Sequence, residues 1–90
     1  MASRLVVTGF ASCPYFQKAK QYAQEKANAN LTVRIVELSR EEFHANRVAQ
    51  LKALNMAEDA HKTCPFVYYE NESLAPIKFV GGYDSLRASL

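Results

Sequence analysis

Ser12-Cys13-Pro14 is the first place in the chain with residues suited to chemistry. Proline is favoured at the first helical position, because its missing N–H is one the helix leaves unpaired in any case. Cys13 therefore falls at a helix N-cap, where its sulfur faces the free backbone N–H groups of Tyr15 and Phe16 and the positive end of the helix dipole. Both stabilise a thiolate over a thiol, so Cys13 is a candidate nucleophile; the alternative is a small polar cap without reactivity. Thr63-Cys64-Pro65 is the second feature, at the entry to a strand, and alone it reads as a proline on a strand edge. The third is Gly81-Gly82 ahead of a helix, where two glycines permit close backbone approach and a helix N-terminus takes carboxylates or phosphates. On its own, Gly-Gly is a turn. Tyr15 and Phe16 flank Cys13; aromatics at helical spacing are core more often than site, and Phe16 reads as core.

The elements that must position these residues follow from periodicity. Arg4–Thr8 is a short β-branched run stopped by Gly9, a buried strand. From Cys13 to Ala29, Tyr15/Phe16, Ala19, Tyr22/Ala23 and Ala27 recur at helical spacing, and Asn28-Ala29-Asn30 offers a left-handed cap. Leu31–Leu38 alternates, with Leu31, Val33 and Ile35 on one face, and reads as a strand. Ser39 with Glu42 is a capping box, Leu38 can staple onto Phe43, and the helix runs through Leu54/Asn55. Pro65–Tyr69 is a third strand, Glu70-Asn71-Glu72-Ser73 a polar turn, and Pro76–Val80 a fourth strand forming a hairpin with the third. A last helix spans Tyr83–Leu90. The first half is a βαβ unit, so its strands are parallel with a right-handed crossover. The expected architecture is a four-stranded mixed sheet covered by helices.

Composition excludes several classes. Ninety residues make one domain, over 1–90, and 49% hydrophobic with 22% charged residues suit a packed core rather than disorder. A net charge of +2 without a Lys/Arg cluster is too mild for nucleic acid. The apolar runs Leu5–Val7 and Pro65–Tyr69 are too short to span a bilayer, and the start has no apolar segment of secretory length. Two cysteines without Cys/His spacing for zinc exclude a disulfide scaffold and predict no metal, with a reducing cytoplasmic setting as the default. His44 and His61 read as solvent-facing positions.

Taken together, the Cys-Pro-Tyr motif, the Thr-X-Pro before the third strand and the Gly-Gly-X-Asp before the last helix resemble the glutaredoxin branch of the thioredoxin fold, over nearly the whole chain. The resemblance implies an α/β, three-layer thioredoxin-like fold with element order βαβαββα. Cys13 matches the nucleophile and Tyr15 the motif tyrosine. Pro65 matches the cis-proline and Cys64 the residue whose backbone pairs with the cysteinyl part of glutathione. Gly82, Tyr83, Asp84 and Ser85 match the loop that holds the γ-glutamyl carboxylate. The chain is similar, too, to the glutaredoxin-like segment opening the divergent malate-dehydrogenase-like proteins of ciliated cells, on Ser12–Phe16, His61–Pro65 and Phe79–Tyr83. That likeness implies a cilium or flagellum setting and a chain that continues beyond Leu90.

Departures from the pattern matter. The second motif cysteine is Phe16, and the lysine usually found three residues before the nucleophile is Phe10. One lost charge-assisted contact weakens glutathione binding by about 1.5–3 kcal/mol. The motif is also not the Cys-Gly-Phe-Ser of cluster-carrying members, so no resident cofactor is expected. In the resembled fold the residue before the cis-proline runs alongside the nucleophile. Cys64 there reads first as a small hydrophobe, and a Cys13–Cys64 bridge is the alternative. Two functions follow. The expectation is a degenerate, non-catalytic module that docks a protein through a groove edged by Phe10, Phe16 and Tyr83. The alternative is a monothiol glutathione-dependent oxidoreductase acting through Cys13, with glutathione as co-substrate.

Overall fold

The computed structural model describes residues 3–29, 31–62 and 64–89. Elements run in the order β1 (Arg4–Gly9), α1 (Pro14–Lys26), β2 (Thr32–Glu37), α2 (Arg40–Ala53), β3 (Phe66–Glu70), β4 (Pro76–Gly81) and α3 (Tyr83–Ser89). The four strands form one mixed sheet in the order β2-β1-β3-β4. β1 pairs parallel with β2, with Val7 opposite Ile35, and antiparallel with β3, with Val7 opposite Val67. β3 and β4 are the antiparallel hairpin. The chain is thus a small α/β fold with a four-stranded mixed sheet and three helices.

Strand alternation divides the core in two. Leu5, Val7 and Val67 point to the side covered by Phe16, Ala19 and Ala23 of α1 and Leu86 of α3. Val6, Phe66 and Tyr68 point to the other side, under Phe43 and Leu51 of α2. Leu31, Val33 and Ile35 join the α1 side as expected, but they are only half-buried, because β2 is an edge strand. Gly9 ends β1 directly beneath the Phe16 ring, and a Cβ there would collide with that ring.

Several boundaries move for local reasons. α1 stops at Lys26, short of Ala29. The Asn28 and Leu31 backbones pair with each other, and the Asn28 amide oxygen accepts the Leu31 N–H at 3.0 Å, which closes a turn instead of a further helical one. Asn30 lies outside the described residues, as do Thr63 and Leu90. α2 begins with the expected capping box, Ser39 Oγ accepting the Glu42 N–H and Glu42 Oε1 accepting the Ser39 N–H, both at 3.1 Å. The bond from the Ser39 backbone holds the Glu42 carboxyl below its usual range. Beyond the last helical residue, Ala53, and the C-cap Leu54, Asn55 closes α2: its φ of 63° lets Asn55 N–H reach the Lys52 carbonyl and Met56 N–H the Leu51 carbonyl. Met56 then packs on the cluster containing Leu51.

The largest correction is Glu70. It is not turn but the last residue of β3, and it is fully buried. Its carboxylate receives Arg34 Nε at 2.8 Å and Arg34 Nη2 at 2.7 Å, and sits 2.9 Å from Arg4 Nε. These arginines stand on β2 and β1, on the α2 side of the sheet, and close that face where its apolar part ends. Arg47 of α2 is also buried, donating to the carbonyls of Glu58 and His61, which fixes the connection leading to β3.

Candidate functional site

The topology gathers the three motifs at one end of the sheet. β1 and β3 are antiparallel, so the end of β1 lies beside the start of β3, Thr8 opposite Phe66. The end of β4 lies beside that same point, Gly81 opposite Val67. The β1–α1, α2–β3 and β4–α3 junctions therefore meet around one cavity of about 570 Å³. Tyr15, Cys64, Pro65, Gly82, Asp84 and Ser85, each singled out from the sequence, all line it. Its volume falls in the range of small-molecule sites, roughly 300–1,000 Å³.

Cys13 is the N-cap of α1, with extended backbone and Pro14 following. The expected cap hydrogen bond from its side chain is not made. The Sγ turns inward and donates to the Cys64 carbonyl at 3.5 Å, which leaves the side chain buried, 7% exposed. The Cys13 N–H is held by the Phe10 carbonyl at 3.0 Å. Cys64 is half-buried, packed on the cluster that contains Cys13, and the Cys64–Pro65 peptide bond is cis, as the resemblance implies. Burial pushes the Cys64 thiol up to about 12, helped by a hydrogen bond with the Cys13 side chain and opposed by one from the Phe10 backbone.

On the opposite wall, Gly81 takes φ 127°, a conformation that side chains rarely adopt, and a Cβ there would press on Ser85. Gly82 is less constrained, since a Cβ there would meet His61 at 3.4 Å, an ordinary contact. Asp84 and Ser85 are exposed at the mouth. Tyr15, 56% exposed, and Tyr83 face each other across it with ring centroids 6.5 Å apart. Lys18 lies over the Tyr15 ring and Arg87 over that of Tyr83.

Three residues stand elsewhere than the sequence reading put them. Phe16 is fully buried in the α1-side core, as its helical spacing suggested, so it cannot edge the groove that the docking expectation gave it. Phe10 is half-buried and does not line the cavity; its ring meets Phe43 edge-on at 5.5 Å and carries the Arg40 guanidinium on its face. His61, expected in solvent, is half-buried in the cavity wall between Phe66 and Phe79. Its Nε2 lies 2.9 Å from the Pro65 carbonyl, which can only accept, so Nε2 carries the hydrogen. Its place in the sequence, four residues before Pro65, gives no local sign of this.

Among the described residues, no group of three or more His, Cys, Asp or Glu side chains is placed to hold a metal ion. No helix among them is long and apolar enough to cross a membrane. The arrangement offers a buried thiol, a second cysteine whose carbonyl that thiol touches and an open cavity with polar groups at its mouth. No family model, no curated protein and no solved structure matches this chain.

Proposed function

We propose that this chain is a glutaredoxin-like domain of thioredoxin fold that takes glutathione in the cavity beside Cys13 and exchanges it on that sulfur. One observation carries the reading. Six residues chosen from three separate motifs, spread from Tyr15 to Ser85, line a single cavity, and Cys13, which does not line it, touches the carbonyl of its lining residue Cys64. In this reading the Cys64 backbone pairs with the cysteinyl part of glutathione. Gly82, Asp84 and Ser85 hold the γ-glutamyl end, and Tyr15 covers the peptide.

The chemistry needs one sulfur. The Cys13 thiolate attacks the glutathione sulfur of a mixed disulfide, a Cys13–glutathione bond forms, and the partner thiolate leaves and takes a proton. A second glutathione thiolate then attacks the glutathione sulfur on Cys13, releasing glutathione disulfide and the Cys13 thiolate. Turnover of a small glutathione mixed disulfide, with glutathione as reductant, tests this. The wild-type protein is expected to exceed background and Cys13→Ser to match it. Equal background rates in both refute the reading.

A second reading, the docking module, is favoured by the Tyr15–Tyr83 pair at the mouth, since exposed aromatics are what protein interfaces enrich. Background rates in both proteins would leave that reading standing. A cytoplasmic setting is supported by the two cysteines, read as reduced thiols, and a ciliary one by the likeness to the malate-dehydrogenase-like proteins alone.

A further inference from the structure

We propose that Cys64 is the resolving thiol of this site, so that the chain reduces disulfides through a Cys13–Cys64 pair and not by Cys13 alone. The inference rests on Cys13 being the exchanging thiol. Phe16 occupies the place of the usual second sulfur and is fully buried, so no second sulfur can act from α1. The other cysteine comes from across the site. Cys13 Sγ donates to the Cys64 carbonyl at 3.5 Å, which holds the two cysteines against each other across the site. Both belong to one packed cluster. Phe10 holds Cys13 in place, its carbonyl accepting the Cys13 N–H at 3.0 Å.

The order of attack follows from the surroundings. While Cys13 is free, burial and the contact with Cys13 keep Cys64 protonated, so it does not compete as a nucleophile. Once Cys13 is tied up in a mixed disulfide, its part in opposing ionisation of Cys64 is gone, while burial, the larger part, remains.

The steps balance. Cys13 thiolate attacks one sulfur of a substrate disulfide, and the first substrate thiolate leaves, taking the Cys64 proton. Cys64 thiolate attacks Cys13 Sγ, the Cys13–Cys64 bond forms, and the second substrate thiolate leaves to take a proton from water. Two electrons pass from the cysteine pair to the substrate. Two glutathione molecules reverse the oxidation and leave as glutathione disulfide.

The test uses reduced wild-type, Cys64→Ser and Cys13→Ser proteins exposed to glutathione disulfide, quenched in acid and weighed intact. The wild type is expected to lose two hydrogens and to yield a Cys13–Cys64 cross-linked peptide on digestion. Cys64→Ser is expected to retain one glutathionyl group on Cys13, and Cys13→Ser to gain none. A wild type that keeps a stable glutathionyl group on Cys13 overturns the inference and leaves exchange on Cys13 intact. A wild type unchanged in mass overturns both. Should the serine variants not fold, the wild-type digest decides by the presence or absence of the cross-link.

Discussion

Replacing Glu70 by glutamine removes one negative charge from beneath two arginines while keeping the shape of the side chain. Three contacts lose their ionic character: Arg34 Nε at 2.8 Å, Arg34 Nη2 at 2.7 Å and Arg4 Nε at 2.9 Å. Hydrogen bonds to charged groups contribute about 1.5–3 kcal/mol each when taken singly. Their sum overstates the cost, because the arginine side chains are 30% and 39% exposed and regain water when released. The amide oxygen also keeps one acceptor. The expected loss is about 2–3 kcal/mol, below the roughly 3–5 kcal/mol of a pair whose surviving partner stays buried. At about 4–8 °C per kcal/mol for a domain of this size, the melting temperature drops by roughly 10–20 °C. The pH dependence gives a second readout. The hydrogen bond from Arg34, with the charges of both arginines, holds the Glu70 carboxyl below its usual range in the folded protein. The unfolded chain takes up that proton near the ordinary value of about 4.3. The stabilisation is therefore complete above that value and is lost as the pH falls through the depressed folded one. Urea denaturation at pH 7 and at steps down to pH 3 should show the gap between the two proteins narrowing with acid. A loss below about 0.5 kcal/mol at pH 7, or a gap unchanged by acid, refutes the role given to this cluster.

Arg47→Met keeps the apolar stem but leaves the Glu58 and His61 carbonyls without their donor, so urea denaturation should show a loss of about 2–3 kcal/mol; a variant as stable as wild type contradicts the clamp. Phe10→Lys restores a cation by sequence position only. It should cost about 1–2 kcal/mol of packing against Phe43 and leave glutathione affinity unchanged by calorimetry, because residue 10 does not line the cavity. Tighter binding in that variant contradicts the placement.

Local pattern carried most of the architecture. The β-branched run at Arg4–Gly9, the Ser39/Glu42 box and the turn between β3 and β4 are each written within a few residues, and the observed elements follow them. The candidate site was legible for the same reason: each of its three motifs sits at an element junction, and parallel pairing of β1 and β2 with the hairpin brings those junctions to one end. What escaped was set by partners far along the chain. Glu70 beside Asn71-Glu72-Ser73 has the composition of a turn, and only arginines on two other strands make a buried carboxylate there stable. Arg47 did leave a trace, since Phe43, Arg47 and Leu51 at helical spacing share the buried stripe of α2. His61 left none, because its burial is set by Phe66 and Phe79 on different strands.

The fit between Gly9 and Phe16 limits which sequences this site can reach. Phe16→Cys would place a second cysteine three residues after Cys13, yet it empties a fully buried ring position above a residue with no side chain. Large-to-small changes of this kind cost about 3–5 kcal/mol, a large part of the roughly 5–15 kcal/mol that holds a domain folded. Filling the hole from below fails while the ring is still present, because any Cβ on Gly9 strikes it. Neither single step is neutral, so positions 9 and 16 are linked along any mutational path. A chain carrying this pair is held by its own packing from gaining a cysteine at position 16, and substitution at the opposite wall, where residue 64 stands, is the route left open to a second sulfur.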